Sequence, residues 1–249
     1  MSEDKIAKFR EIVDGSHSIV FFGGAGVSVP SGIPDFRSSK GIYSEKTGYT
    51  YAPEEMISHE FFEIHPDMFF NFYFSKMVYP DALPNAAHLV LAKWEKQGIL
   101  KAVVTQNIDG LHQMAGSKNV LELHGSVHRN YCQKCHRFFP LEEIDKTGIP
   151  KCPCGGIIKP DVVLYGEALD QSVLEQSIRS IASADTLIVG GTSLVVYPAA
   201  GLIRYFRGKH LVVVNLGNQS GSFFGPYDCL TIHDDIAKVF MAVDKYNTH

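Results

Sequence analysis

Short apolar segments alternate with helix-length segments along most of this chain, and this alternation limits the fold more than any other feature. Four segments are rich in β-branched residues and apolar at successive positions: 18–22, 100–105, 185–190 and 210–217. Strands of this kind suit a parallel sheet that helices cover on both faces. The segments 86–97, 172–182 and 198–207 carry apolar residues at helical spacing. The pattern predicts an α/β fold with a doubly wound, Rossmann-like parallel sheet.

Two stretches interrupt this alternation and are interpreted as insertions into the sheet domain. An aromatic-rich helical region runs from about Tyr43 to Tyr79, and a cysteine-containing region runs from about Ser126 to Pro160. The predicted division assigns residues 1–36, 86–125 and 161–249 to the Rossmann-like domain. Residues 37–85 form an inserted helical module and residues 126–160 an inserted zinc-ribbon module, and the two modules together make a smaller domain.

Charge and hydropathy exclude several classes of function. The 23 Lys and Arg residues are outnumbered by 27 Asp and Glu residues, which gives a net charge of -4. No basic field therefore favours a nucleic acid or an anionic membrane as a partner. The longest apolar runs have the length of strands, so no transmembrane helix is expected. Because residues 1–13 lack the pattern of a signal peptide, we expect a cytoplasmic protein.

Four of the five cysteines fall within one short segment, as the pairs Cys132/Cys135 and Cys152/Cys154. In a chain without a secretion signal, such pairs favour one tetrahedral zinc ion over a disulfide framework. Four protein ligands leave no open coordination position, so the predicted zinc is structural. The alternative is a reduced cluster that binds metal weakly or not at all.

A glycine-rich turn, GGAGVS, follows the first strand at residues 23–28. Such a turn lets a phosphate approach backbone N–H groups near a helix start, although strand-to-helix glycines also occur for packing alone. The third glycine of a dehydrogenase fingerprint would fall at Val29, and no acidic residue ends a second strand about 20 residues further on. The sequence therefore does not predict an ordinary dinucleotide-binding dehydrogenase.

Polar side chains follow two other predicted strands. Gln106, Asn107 and Asp109 come directly after the strand at 100–105, at the edge of the sheet where α/β proteins bind ligands. Helix capping is the alternative explanation for this group. His124 follows a short apolar strand at 120–123 and precedes a glycine. From the residues alone, a structural role for His124 is the simpler interpretation.

Four motifs, in this order, resemble those of the sirtuins, the NAD-dependent protein-lysine deacylases. They are GAGVSVPSGIPDFR at 24–37, TQNIDGLH at 105–112, LHG at 123–125 and GTSLVVYPAAGL at 191–202. The resemblance extends from about Phe9 to Val243. It implies that NAD is the co-substrate, that one structural zinc is bound, and that acyl-lysine-bearing proteins or peptides are the partners. The second cysteine pair departs from the family pattern, because Pro153 alone separates its members where most sirtuins have two or more residues.

The resemblance also implies roles for individual residues. The carbonyl oxygen of acyl-lysine attacks C1′ of the nicotinamide ribose, and His124 acts as general base on the 2′-hydroxyl, with Asn107 as a second catalytic residue. The products are lysine, nicotinamide and O-acyl-ADP-ribose. The implied NAD contacts are Ala25, Gly26, Ser28, Val29, Phe36, Arg37, Gln106, Asn107, Ile108, Asp109, His124, Thr192, Ser193, Asn215, Leu216 and Asp235. The implied peptide contacts are Val163, Tyr165, Gly166 and Glu167, with the peptide between this segment and the Gly217 loop.

Two further functions remain open at this point: mono-ADP-ribosyl transfer to protein, and a non-catalytic zinc-ribbon module that senses NAD. The aromatic stripe Phe69, Phe70, Phe72, Tyr73 and Phe74 is interpreted as core. Tyr73 and Lys76 resemble the Tyr-x-x-Arg pair with which one sirtuin branch binds succinyl and malonyl groups. We favour a solvated Lys76, and so expect a preference for uncharged acyl groups.

Overall fold

The computed structural model describes residues 2–36, 38, 41–42, 50–217 and 228–244. Its larger sheet has six strands: β1 (Ile19–Gly23), β2 (Leu100–Thr105), β3 (Val120–Glu122), β7 (Thr186–Gly190), β8 (His210–Val214) and β9 (Asp228–Ile232). Their order is β3-β2-β1-β7-β8-β9, and all neighbours are parallel. Strands β2 and β3 are therefore added on one side of β1, and β7, β8 and β9 are added in turn on its other side. The predicted doubly wound sheet is confirmed.

The central strands β1 and β7 of the larger sheet are buried along their whole length because helices cover both faces. The α-helices among the described residues are α1 (Glu3–Asp14), α2 (Pro53–Met56), α3 (His59–Ile64), α4 (Pro66–Lys76), α5 (Ala86–Lys96), α6 (Leu111–Met114), α7 (Gln171–Ser183) and α8 (Ile236–Asp244). Phe21 of β1 packs with α1, α5 and α8, whereas Phe22 packs on the opposite face with α7. Burying each phenylalanine contributes about 1.5–3 kcal/mol. In the part of the chain that the structure describes, no helix has both the length and the apolar character that crossing a bilayer requires.

A smaller antiparallel sheet contains β4 (Gly125–Cys132), β5 (Phe138–Pro140) and β6 (Ile158–Val162), in the order β5-β4-β6. A separate apolar core joins this sheet to α2, α3 and α4. The aromatic stripe of α4 lies in that core: Phe69, Phe70, Phe72 and Tyr73 are buried, and Phe74 is partly buried. Interpreting this stripe as core is therefore confirmed.

Three local features differ from the sequence-based expectation. The predicted helix at 198–207 is a 3₁₀ helix, Ala199–Tyr205, in which Gly201 N donates to Pro198 O. Gly201 is a poor α-helix former, which helps to explain the tighter turn. The strand predicted at 210–217 ends at Val214, because the chain then turns into a loop. Strand β9 was not predicted.

Candidate active site

A cleft of about 650 Å³ lies at the carboxyl edge of the larger sheet. Loops that follow several strands meet here, and β1 and β7 are the neighbours at which the order of the strands reverses. Open α/β sheets bind ligands at this position. All but one of the predicted contact residues line the cleft: Ala25, Gly26, Ser28, Val29, Phe36, Gln106, Asn107, Ile108, Asp109, His124, Val163, Tyr165, Gly166, Glu167, Thr192, Ser193, Asn215, Leu216 and Asp235. Arg37 lies outside the described residues.

The glycine-rich turn after β1 packs closely against the loop after β7. Gly26 N donates to Gly191 O at 2.8 Å, and a Cβ on Gly26 would lie only 2.8 Å from the Gly191 Cα. Gly191 has φ 58, and a Cβ there would overlap the backbone of Val27. The N–H groups of Val27 and Ser28 also donate within the turn. Packing therefore explains these glycines, and the three N–H groups already have hydrogen-bond partners in this conformation.

Ser28 joins the turn after β1 to the loop after β2. Its Oγ donates to Asp109 Oδ2 at 2.6 Å and accepts from Asn107 Nδ2 at 3.0 Å. Asp109 Oδ1 also accepts from Leu111 N, the first residue of α6. The three polar side chains thus hold each other in fixed positions beside the cleft, and Asp109 also accepts the first N–H of α6, whose N-cap is Gly110.

His124 has a defined tautomer. Its Nδ1 lies 2.9 Å from the main-chain oxygen of Gln106. A carbonyl oxygen only accepts, so Nδ1 carries the hydrogen and the neutral ring keeps its lone pair on Nε2. Burial lowers the pKa of His124, and the hydrogen bond to Gln106 opposes this effect only in part. The ring is therefore mainly neutral at pH 7 and is suited to accept a proton.

Thr192 connects three loops on the other side of the cleft. Gln106 Nε2 donates to Thr192 Oγ1 at 3.1 Å, and Asn215 Nδ2 donates to Thr192 O at 2.9 Å. These contacts join the loops after β2, β7 and β8. The distance between the Asn107 side and the Asn215 side of the cleft is consequently fixed by side-chain contacts as well as by the sheet.

The predicted peptide-binding segment continues beyond the end of β6. Val163 N donates to His124 O at 3.0 Å, so this segment is fixed directly to the residue that carries the candidate base. Tyr165 N donates to Ile57 O, and Tyr165 O accepts from His59 N. The main chain of Tyr165 is therefore paired within the protein. An extended peptide would therefore have to form its main-chain hydrogen bonds with the residues next to Tyr165.

Glu167 stabilises the same segment. Its carboxylate accepts from Leu164 N, Lys159 Nζ and His59 Nδ1. Burial alone would raise the pKa of Glu167, but the three donors lower it. The carboxylate is thus ionised at neutral pH, and it fixes the conformation of the chain between Leu164 and Glu167.

The four clustered cysteines lie outside the cleft lining. Their sulfur atoms all lie within 4.8 Å of one another, with Cys132 Sγ 3.4 Å from Cys154 Sγ and Cys135 Sγ 3.6 Å from Cys152 Sγ. Zn–S bonds of about 2.3 Å in a tetrahedron place sulfurs about 3.8 Å apart. Burial disfavours ionisation of Cys132, but N–H donors and neighbouring thiols outweigh it and lower its pKa to about 6. The cluster could hold a structural zinc ion, and the short Pro153 spacing does not prevent convergence.

Several residues of the cleft wall were not predicted. Ile33, Leu169, Val196 and Tyr197 add apolar surface to the lining. Val196 and Tyr197 belong to the motif at 191–202. In that motif, three apolar residues and an aromatic one follow the polar Thr192-Ser193 pair, and this pattern was a usable signal. Ile33 lies in the motif at 24–37, which was also a usable signal, whereas Leu169 lies in no motif and gave none.

The expectation of a solvated Lys76 is wrong. Lys76 is half-buried and lines the cleft. Tyr73, three residues earlier, does not line the cleft: it is buried and stacks on Phe69 at a centroid distance of 5.8 Å. The two side chains are separated because α4 buries its aromatic face in the core. The Tyr73 hydroxyl has no hydrogen-bond partner among the described residues.

Comparison with known proteins gives one consistent result. The pattern of the Sir2 family matches residues 24–198. An NAD-dependent protein deacetylase of Clostridium perfringens is 59% identical over 95% of this chain and 97% of the relative. One of Clostridium acetobutylicum is 60% identical over 96% of this chain and 98% of the relative. A solved Sir2 structure with a peptide and NAD⁺ is 38% identical, with a TM-score of 0.81, and covers 97% of this chain and 98% of that chain. A Sir2 protein bound to an acetylated peptide is 36% identical, with a TM-score of 0.81 and the same coverage.

Proposed function

The chain belongs to the Sir2 family, and from this premise we propose how its cleft performs NAD-dependent protein deacetylation. Relatives at 59% and 60% identity over nearly the whole chain have this activity by name. The observation that carries the proposal is the position of His124. Its ring lines the cleft, its tautomer leaves Nε2 as the proton acceptor, and its main-chain oxygen binds the predicted peptide segment.

The residues of the cleft fit a dinucleotide. The cleft volume of about 650 Å³, with the polar groups of Asn107 and Asp109 on one side and those of Thr192 and Asn215 on the other, matches a long ligand with hydrogen-bonding groups along its length. When bound, NAD supplies the ribose that receives the acyl group and the nicotinamide that leaves. We assign Asn107 and Asp109 to the nicotinamide side, because Ser28 holds both side chains there. We assign Thr192, Ser193 and Asn215 to the part of NAD at the other side of the cleft, where Thr192 contacts both Gln106 and Asn215.

His124 is assigned the role of general base. Its neutral ring accepts the proton of a ribose hydroxyl at Nε2, while the hydrogen bond from Nδ1 to Gln106 O stabilises the imidazolium that forms. The same hydrogen bond fixes the orientation of the ring. The apolar side chains of the cleft wall, with Phe36 on one side, exclude water around the reacting groups.

The acyl-lysine peptide is assigned to the region between the larger sheet and the smaller sheet, beside residues 163–167. This placement matches the predicted division into a Rossmann-like domain and two inserted modules, and the presence of two separate sheets supports that division. The four thiols would hold zinc as a structural ion, since four protein sulfurs leave no open position. We also propose a cytoplasmic location, because the cluster requires reduced thiols.

Measuring nicotinamide release with and without an acetyl-lysine peptide tests this function. Release that requires the peptide, with formation of acetyl-ADP-ribose, is the expected result. Release that labels protein with ADP-ribose would indicate a mono-ADP-ribosyltransferase, and NAD binding without release would indicate a sensor. The His124→Ala variant should bind NAD but lose two to four decades of turnover, the usual contribution of a positioned base. His17→Ala, an exposed histidine outside the cleft, is the matched control.

A further inference from the structure

Strand β4 contains a bulge at residues 127–129, next to the cleft. Gly125 and Ser126 pair with Val162 and Asp161 of β6, but the next paired residue of β4 is Asn130, opposite Pro160. Three residues of β4 therefore have no partner in β6. Bulges beside active sites often redirect side chains. Here the three residues contact three segments, the loop after β2, β3 and β6, and each of these segments lines the cleft or leads into it.

The first two residues of the bulge hold the loop after β2. Val127 N donates to Ile108 O at 3.0 Å. His128 Nε2 lies 3.1 Å from Asp109 O, and because a carbonyl only accepts, the ring donates this hydrogen bond. A Cβ on Gly110 would lie 2.7 Å from the His128 ring, so the ring also packs against the loop. The loop that carries the nicotinamide-side residues thus rests on β4.

The third residue, Arg129, joins two strands that lead into the site. Its Nη1 donates to Glu122 Oε2 at 2.6 Å, and its Nε donates to Asp161 Oδ2 at 2.7 Å. Glu122 lies two residues before His124, and Asp161 lies two residues before Val163. The Glu122 side chain is only 8% exposed, so loss of Arg129 would leave a largely buried carboxylate without this partner. Arg129 therefore fixes the spacing between the strand before His124 and the strand before the peptide segment.

We propose that His128 and Arg129 are positioning residues for the deacetylation. Neither lines the cleft, and both act through the loops that do. The inference rests on the proposed function for its kinetic part. Strand β4 also runs from the bulge directly to Cys132, so one strand joins the cysteine cluster to the residues beside the cleft.

The geometry requires an arginine at position 129. A guanidinium donates from separate nitrogen atoms along a rigid plane, whereas a lysine ammonium is a single point charge. Arg129→Met keeps much of the length of the side chain but leaves Glu122 and Asp161 as two unpaired carboxylates near each other. Arg129→Lys neutralises the charge without reaching both carboxylates equally well, so it should restore only part of the function.

The test compares Arg129→Met and Arg129→Lys with Arg179→Met, which removes an exposed arginine on α7. We expect kcat with an acetyl-lysine peptide to fall about 10- to 100-fold in Arg129→Met, the effect of displacing reacting groups by about 1 Å. Arg129→Lys should show an intermediate loss, and Arg179→Met should match the wild type. Zinc content should not change. In the ligand-free protein, hydrogen exchange should increase at the backbone N–H groups of residues 106–112 and 163–167.

Two results would overturn the proposal. One is a folded Arg129→Met protein with wild-type kcat and wild-type exchange in both segments. The other is full recovery of kcat in the Glu122→Gln/Arg129→Met double variant. That result would show that Arg129 only neutralises the charge of Glu122 and does not position the two strands. If Arg129→Met does not fold, the same measurements on Arg129→Lys and His128→Ala decide. A wild-type protein without deacetylase activity would contradict the proposed function alone, because the exchange measurement requires no turnover.

Discussion

The ring of His124 is bound to the main chain of Gln106, at a distance of 2.9 Å between Nδ1 and the carbonyl oxygen. The ends of β3 and β2 are therefore joined through the imidazole itself. Gln106 immediately precedes Asn107, so movement of the ring would also disturb the nicotinamide-side loop. Protonation of His124 would remove the acceptor at Nε2 while leaving this contact intact.

This relationship predicts a pH dependence of the reaction. Burial, the dominant cause, lowers the pKa of His124 below its usual value, and the base works only when neutral. We expect kcat/KM to be level near neutral pH and to decrease about tenfold per pH unit once the pH falls below the lowered pKa of His124, which lies under the usual histidine value of about 6.5. A pH profile of kcat/KM for the acetyl peptide measures this. An acidic limb centred above 7 would contradict the assignment.

Zinc should be present at one ion per chain. The four sulfur atoms within 4.8 Å form the site, and β4 connects it to the cleft. We expect that removal of the ion unfolds the smaller sheet and then abolishes activity, because metal binding and folding are coupled in such modules. Metal analysis of protein purified without chelator provides the measurement. Cys132→Ser should lose zinc, whereas Cys229→Ser, on β9, should retain it.

Acetyl-lysine should be preferred over succinyl-lysine. Lys76 lines the cleft, but the Tyr73 side chain that would complete a carboxylate-binding pair is buried in the aromatic core. A lysine alone lacks the bidentate geometry of an arginine for a carboxylate. We expect kcat/KM to favour the acetyl peptide by about tenfold or more, equivalent to about 1.4 kcal/mol. Faster removal of succinyl, lost on Lys76→Ala, would reverse this prediction.

Stability should decrease in acid because of two buried histidines. His88 and His112 lie with ring centroids 4.7 Å apart. Burial lowers the pKa of His88 to about 4, despite the opposing charge of Asp109, and holds that of His112 well below its usual value. The unfolded chain takes up protons near pH 6.5 and the folded protein does not. The free energy of unfolding should therefore fall as the pH is lowered from about 6.5 towards about 4. Each of the two histidines contributes a decrease of about 1.4 kcal/mol for each pH unit.

Urea denaturation at pH 7 and pH 5 measures this loss, with His112→Leu as the comparison. Neither ring nitrogen of His112 has a hydrogen-bond partner among the described residues, so leucine removes two unpaired polar atoms. The variant should lose less stability between the two pH values than the wild type. Zinc release in acid affects both proteins equally and cancels in the difference. Equal losses would show that His112 does not contribute.

The doubly wound parallel sheet and the polar group after β2 could be predicted from short patterns, whereas most of the other cleft residues followed from the resemblance to the sirtuins. A buried parallel strand requires an apolar run, and ligand-binding loops follow the ends of such strands. β9 was missed because its segment, DCLTI, mixes polar and apolar residues. Lys76 and Tyr73 could not be separated from sequence, since their directions depend on how α4 rotates against a core built from distant residues.

The contacts of the bulge were beyond prediction for a related reason. Nothing in the sequence of β4 marks residues 127–129 as lacking partners in β6, because the extra residues become visible only against β6, about 30 positions later in the chain. His128 and Arg129 appear in the sequence as ordinary exposed polar residues of a strand. Only the paired register gives them their partners Asp109, Glu122 and Asp161.

The contact between Gly26 and Gly191 restricts how this protein can change over evolutionary time. A side chain at either position would enter space that the backbone of the other loop fills. A single substitution could therefore be accommodated only by moving that backbone, not by moving a side chain. The two positions must be conserved together or altered together with the loops around them. A mutational library that randomises the loop after β1 or the loop after β7, with the other loop held constant, should therefore recover glycine at the randomised position, even when it is selected for a different ligand.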